Sequence, residues 1–290
     1  RECFDVAPGA EISCEANPGT LAPAFLDALL QGGVNRLSLG AQSAHADELR
    51  LLGRIHDWAQ VEASVCMARA AGIPNVNIDV MTALPGQGWD RLRSTLDAAI
   101  ALAPNHLSCY SLILEEGTPL FARRDALELP DDEAERALYW NTADHLAGAG
   151  YRQYEISNFA RPGFECRHNL NCWMREEYLG FGAGAAGFFH GTRRRNAPTL
   201  RGYLAGEPPE TEEVAPRDAM FESVMLGLRL TQGLDLRAFE AMHGAAVEAA
   251  FPEALKQNLA AGMMERAGGR LRLTRRGLDL MDRVLLDFLP

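Results

Sequence analysis

Residues 75–81, NVNIDVM, form a short β-branched run between two helical patterns, and that alternation decides the fold. Three more runs repeat it, at residues 11–15 (EISCE), 35–40 (NRLSLG) and 106–112 (HLSCYSL). Between the runs lie helical stretches at 23–30, closed by Gly32 and Gly33, at 57–71, closed by Gly72, and at 89–102, closed by Pro104. Glycine and proline at those positions are ordinary helix stops. In the last stretch Leu92, Leu96, Ala99 and Ile100 recur at i, i+4, i+7 and i+8, the stripe by which a helix packs on a sheet. Alternation of this kind predicts a parallel sheet covered by helices. Four parallel strands are too few to close a barrel, so the expectation is either an open sheet or further strands before Glu11, and the strand-like AEISCEA so near Arg1 favours the second.

Composition narrows the partners. The 290 residues are 47% hydrophobic, enough for one large core or two to three smaller ones. Against 39 acidic side chains stand 28 basic ones, a net charge of -11 that repels polyanions and gives no global attraction to nucleic acid or anionic lipid. No 18-residue apolar run occurs and residues 1–11 lack the basic-then-apolar order of a secretory signal, so a cytoplasmic location is expected. The cysteines (Cys3, Cys14, Cys66, Cys109, Cys166, Cys172) show no CxxC spacing and read as thiols in a reducing compartment.

Residues 131–150 read as a helix whose acidic first turn suits the dipole, and 151–173 as a mix of short strands and turns. Residues 206–216, GEPPETEEVAP, read as a solvated connection and place a domain boundary. Beyond it come helical patterns at 221–230, 236–242 and 252–261, then a hairpin at Gly268–Gly269 with alternating Leu271 and Leu273. Thr274 follows as the cap of a helix carrying Leu278, Met281, Leu285 and Phe288. That order resembles a winged helix. From Arg217 onward ten basic residues meet ten acidic ones, so the charge footprint of a DNA reader is missing and internal packing or partner docking is expected.

Three clusters carry possible chemistry. Residues 182–187, GAGAAG, match a dinucleotide-binding glycine pattern, but FFHGTRRRN follows where a helix is required, which leaves a tight glycine-permitted turn. Residues 165–173, ECRHNLNCW, crowd Cys166, His168 and Cys172 together without the second ligand pair of a zinc site; Cys3 and Cys14 are distant candidates for it, and nothing in the sequence requires them. No oxyanion-hole or orienting motif accompanies them as a nucleophile pair. Glu15, Gln42, Arg54 and Asp79 fall at or just beyond strand ends, where parallel α/β sheets bind ligands. Two carboxylates, an amide and a guanidinium suit a zwitterion carrying a sugar, and equally suit a structural network among themselves.

Taken in order, EISCEANPGTL, GVNRLSLGAQS, LGRIH, NVNIDVMTALPGQ, HLSCYSL and HNLNCW resemble the radical SAM heme chaperone family, HemW, a relative of the oxygen-independent coproporphyrinogen III dehydrogenases. The resemblance spans essentially the whole chain. It implies an α/β fold: a partial (β/α)6 radical SAM barrel lacking its first strands over residues 1–125, a family-specific α+β segment over 126–205, a linker at 206–216 and a winged-helix-like C-terminal domain over 217–290. It implies S-adenosylmethionine contacts at Glu15, Gln42, Arg54 and Asp79. It also implies a [4Fe-4S] cluster whose CxxxCxxC ligands are missing from this chain, so that the chain is expected to be a fragment or truncated product. His168 belongs to a family motif that often reads HNxxYW, which makes Cys172 a substitution and His168 a candidate near heme or the active cleft.

Heme transfer to a respiratory acceptor, including a transient membrane-associated one, is the function the resemblance implies, with no nucleic-acid partner. Oxidative decarboxylation of coproporphyrinogen III, and a truncated interaction module without activity, are the alternatives.

Overall fold

The run at 75–81 is a strand with one polar and one apolar face, and the architecture follows from it. In the computed structural model, which describes residues 4–290, the elements of the first unit are β1 (Ser13–Ala16), α1 (Pro23–Gln31), β2 (Arg36–Gln42), α2 (Ala46–Leu51), α3 (Trp58–Ala71), β3 (Asn75–Thr82), α4 (Trp89–Ala101), β4 (His106–Ser111), α5 (Asp132–Gly148), β5 (Arg152–Gln153) and β6 (Asn158–Ala160). Strands β1 to β4 pair in parallel and in sequence order, as the alternation predicts. The sheet then continues through β6 and β5, both antiparallel, giving the order β1-β2-β3-β4-β6-β5.

Alternate residues of the strands separate two environments. Leu37, Leu39, Val76, Ile78, Val80 and Leu107 are wholly buried and share one core with Leu26 of α1, Val61, Val65 and Ala68 of α3, and Leu92, Leu96 and Ala99 of α4. The residues between them, Ser38, Asn77, Asp79, His106 and Ser108, point to the opposite, polar face. Helix ends obey local chemistry. Asp57 caps α3 by a reciprocal box with Gln60 (2.9 and 3.0 Å), and Gly72 closes it at φ 100°, a conformation costly for any residue with a Cβ.

The second unit runs Arg167–Pro290. It contains α6 (Arg167–Trp173), β7 (Ala186–Phe189), β8 (Thr192–Arg195), α7 (Leu200–Leu204), β9 (Glu210–Glu213), α8 (Pro216–Gly227), β10 (Leu234–Asp235), α9 (Leu236–His243), α10 (Val247–Ala250), α11 (Pro252–Ala260), β11 (Met264–Ala267), β12 (Arg270–Leu273), α12 (Arg275–Asp279) and α13 (Met281–Leu286). Two antiparallel three-stranded sheets form, β7-β8-β9 and β10-β12-β11. Val224, Leu228, Phe239, Phe251, Leu271, Val284 and Phe288 make a separate core. Within the stretch read as a solvated connection, residues 210–213 add β9 to β8, with all four side chains exposed.

Two local expectations change. HNLNCW is helical, where turns and short strands were expected: α6 is held from outside by Arg229, whose guanidinium lies 4.5 Å over the ring of its last residue, Trp173. Thr274 does cap a helix, its hydroxyl accepting from the Gly277 amide at 3.1 Å, but that helix breaks at Leu280 (φ -122°, ψ 28°) into α12 and α13. The hairpin at Gly268–Gly269 is present, both glycines at positive φ. Among the described residues no helix is long and apolar enough to cross a membrane.

Candidate functional site

The polar face of the first sheet carries a continuous hydrogen-bonded ladder. Asn77 on β3 donates through Nδ2 to Ser38 Oγ on β2 and to Asp79 Oδ1, both at 2.7 Å, and Ser38 in turn donates to Asp79 Oδ2 at 3.0 Å. The Asn77 carbonyl oxygen accepts from Ser108 Oγ at 3.2 Å and sits 2.6 Å from His106 Nδ1. Burial drives the His106 pKa down to about 3, with the Arg36 charge adding to the effect, so the ring is neutral. Its Nδ1–H therefore donates to Asn77 and its Nε2 accepts from the Tyr154 hydroxyl at 2.8 Å; that oxygen accepts the Cys166 amide at 3.3 Å. Every proton in the chain has one direction, and it ends with both Asp79 oxygens accepting. Asp79 is nevertheless held above the usual carboxylate range by burial, which outweighs the bonds from Asn77, Ser108 and Ser38, and the negative charge of Glu15 adds to the rise.

A second group lies one strand-step further toward the C-terminal ends. Asn17, just beyond β1, accepts through Oδ1 from Arg54 Nη1 at 3.1 Å. Gly40 separates this pair from Gln42: a Cβ at Gly40 would stand 2.8 Å from Gln42 Nε2 and 3.9 Å from Asn17 Oδ1. Gln42 has φ 66° and the Ser43 amide reaches back to the Ala41 carbonyl at 2.8 Å, a three-residue turn that is rare and strained outside glycine. The turn is held from below. Glu48, only 4% exposed, accepts from Ser43, from Gln87 Nε2 (3.3 Å) and from Arg91 Nε (3.0 Å), while His56 Nε2 donates to the Ala41 carbonyl at 3.1 Å.

Of the residues singled out by sequence, Asp79 ends the ladder and Glu15 stands beside it, while Gln42 and Arg54 belong to the second group. Register sets Glu15 next to Ser38 and Ser38 next to Asn77, two residues before Asp79; Gln42 follows a register shift and meets this face at Gly40, and Arg54 reaches it through Asn17. Asp79 lies within β3 rather than at its end. Asn17, Ser38, Asn77, Ser108 and His106 were not singled out. Their signals were the Asn-Pro-Gly turn in EANPGT and the polar alternation of each strand.

His168 is exposed on α6, one turn from Cys172, whose sulfur is 4.0 Å from His168 Nε2. Burial raises the Cys172 thiol, the opposite of an activated nucleophile. The described cysteines do not gather: Cys66 is exposed on α3, Cys109 is buried on the helix-facing side of β4, and no group of three or more His, Cys, Asp or Glu able to hold a metal occurs among the described residues. They do not suit an iron–sulfur cluster. Cys3, considered as a distant zinc ligand, lies outside the described residues.

Residues 1–99 match the Radical SAM superfamily and residues 214–280 the HemN C-terminal domain. A curated relative named heme chaperone HemW from Bacillus subtilis is 36% identical over 97% of this chain and 76% of its own length. The protein of that name from Escherichia coli is 36% identical over 100% of the chain and 77% of its own length. The solved structure of the coproporphyrinogen III oxidase HemN from Escherichia coli, titled a radical SAM enzyme, superposes with a TM-score of 0.80 at 23% identity, over 96% of this chain and 69% of that one.

Proposed function

The chain belongs to the heme chaperone HemW family, and we propose that it binds heme and passes it to an acceptor protein in the cytoplasm or at a membrane, with S-adenosylmethionine held on the polar face of the first sheet. The observation that carries the second part is that Glu15 and Asp79 share the polar face of the first sheet, with Gln42, Asn17 and Arg54 gathered by Gly40 at its C-terminal end. Arg54, steadied by Asn17, is the group to take the carboxylate of the methionine moiety. Glu15 and Asp79 are the acceptors for its ammonium or for ribose hydroxyls, and the Gln42 amide serves either. Asp79 has little freedom to adapt, because the Asn77–His106–Tyr154 chain fixes it before any ligand arrives, and a preorganised acceptor loses less on binding. His168 is the family-motif histidine and stands exposed on α6, with its imidazole open to a ligand.

Calorimetry with S-adenosylmethionine tests the site. Arg54→Ala should weaken binding by about 1.5–3 kcal/mol, the scale for a lost hydrogen bond to a charged group. Unchanged affinity in a folded variant would make Arg54 structural. Absorbance titration with hemin tests the function, and His168→Ala should reduce affinity. Conversion of coproporphyrinogen III by the protein would replace the chaperone reading with a decarboxylase.

A further inference from the structure

The glycine-rich stretch 180–187 builds something the S-adenosylmethionine face does not use. Its chain crosses itself so closely that a Cβ on Gly180 would run into the Ala186 carbonyl, and one on Gly187 would stand 3.0 Å from the Gly180 nitrogen. Asn196, 8% exposed, clamps the crossing: Nδ2 donates to the Gly180 and Gly182 carbonyls at 3.2 and 2.9 Å, and its amide donates to Ala185 at 2.9 Å. The result is a rigid floor under a cleft of about 430 Å³. Phe181, Phe189 and Tyr203 wall it, and they are 67%, 46% and 38% exposed, a concentration of uncovered aromatic surface around one cleft.

Charge on the two faces of that sheet is unequal. Register places Thr192 and Arg194 beside Phe189 and Gly187 on the cleft face, and Arg193 beside Phe188 on the other. Arg193 is neutralised by Glu212 and Glu222. Arg194 makes no ion pair among the described residues and is the one charged side chain lining the cleft, in a chain of net charge -11. An uncovered aromatic cleft with a single unmatched guanidinium fits a planar apolar body bearing a carboxylate.

We propose that this cleft takes the propionate-bearing edge of heme, with Arg194 on a propionate and the aromatic side chains against the macrocycle. The assignment rests on the heme reading above and says where on the second unit the ligand is recognised.

The test titrates the full chain with hemin and with hemin dimethyl ester, which lacks the free carboxylates. Arg194→Glu should weaken hemin about tenfold or more and leave the ester within about twofold, Arg194→Lys should restore most of the hemin affinity, and Phe189→Ser should weaken both ligands. Equal hemin affinity in wild type, Arg194→Glu and Phe189→Ser, with unchanged circular dichroism, would overturn the cleft while leaving heme binding in place. Failure of the wild-type chain to bind hemin would sink both readings. If Phe189→Ser changes sedimentation of the chain and not its hemin affinity, the cleft is a contact between copies and the proposal falls.

Discussion

At the scale of single residues two buried titratable groups pull stability in opposite directions. Burial holds the Asp79 carboxyl above its ordinary pKa, so its contribution to stability is present below the unfolded pKa and lost as pH rises through the folded one. His106 has the opposite sign. Its folded pKa of about 3 lies below the usual histidine value, so between about pH 6.5 and 3 the unfolded chain takes up a proton that the folded chain refuses, and stability falls as the solution is acidified. The expected outcome for His106→Gln, whose amide can still meet Asn77 or Tyr154, is lower stability at pH 7 by roughly 1–3 kcal/mol but a visibly shallower fall from pH 6.5 to 4. Urea unfolding across that range reads both, and an unaltered acid slope would remove His106 as its source. Asp79→Asn separates stability from function. Ser38 can turn its hydroxyl to accept the new amide, so the melting temperature should hold or rise, while S-adenosylmethionine affinity should drop by about tenfold or more.

At the scale of elements, what could be read from the sequence is what local patterns dictate. The four parallel strands and the helices between them follow from periodicity and stop residues, because an apolar stripe has one way to be buried. α6 was not legible: Asn169 and Asn171 are poor helix formers and the segment is short, so its helix depends on Trp173 stacking under Arg229. The chemistry of Glu15, Gln42, Arg54 and Asp79 could be read from residue type and position at strand ends. Asn17, Ser38 and Asn77 could not, because polar alternation in a strand acquires meaning only once the helices are known to cover the other face. The strained turn at Gln42 is tertiary in origin, imposed by Glu48 and His56. The glycine crossing makes a prediction at this scale. Gly182 has φ 102° with open space around it, so Gly182→Ala should cost roughly 1–2 kcal/mol of backbone strain. Gly180→Ala drives a methyl into the Ala186 carbonyl and should cost more, about 3 kcal/mol or above. Urea unfolding followed by tryptophan fluorescence ranks them, and equal costs would mean the crossing opens without penalty.

At the scale of the whole molecule, charge decides which partners are refused. The part from Arg217 onward sets helices beside the β11–β12 hairpin and a third strand, an arrangement that in other proteins reads DNA when its surface is basic. Here most of the cations are already engaged. Arg270 pairs with Asp235 at 3.2 Å, Arg272 with Glu265 at 2.7 Å, Arg266 with Glu248 at 2.9 Å and Arg283 with Asp287 at 2.6 Å. Arg217 and Arg276 donate to the Ala250 and Ala261 carbonyls, and Arg229 lies over Trp173. Each exposed pair adds little to stability, but together they leave no cluster of free positive charge, and ten acidic residues match ten basic ones in this part of a chain with net charge -11. Polyanion binding gains its free energy from counterions released by unpaired cations, and a surface whose unpaired cations are few and scattered releases few. The protein should therefore pass through a heparin or duplex-DNA column in about 100 mM salt without retention, and lowering the salt further should not produce the steep rise in affinity that phosphate contacts give. Retention that weakens linearly with the logarithm of salt concentration would show a basic surface that these ion pairs do not neutralise.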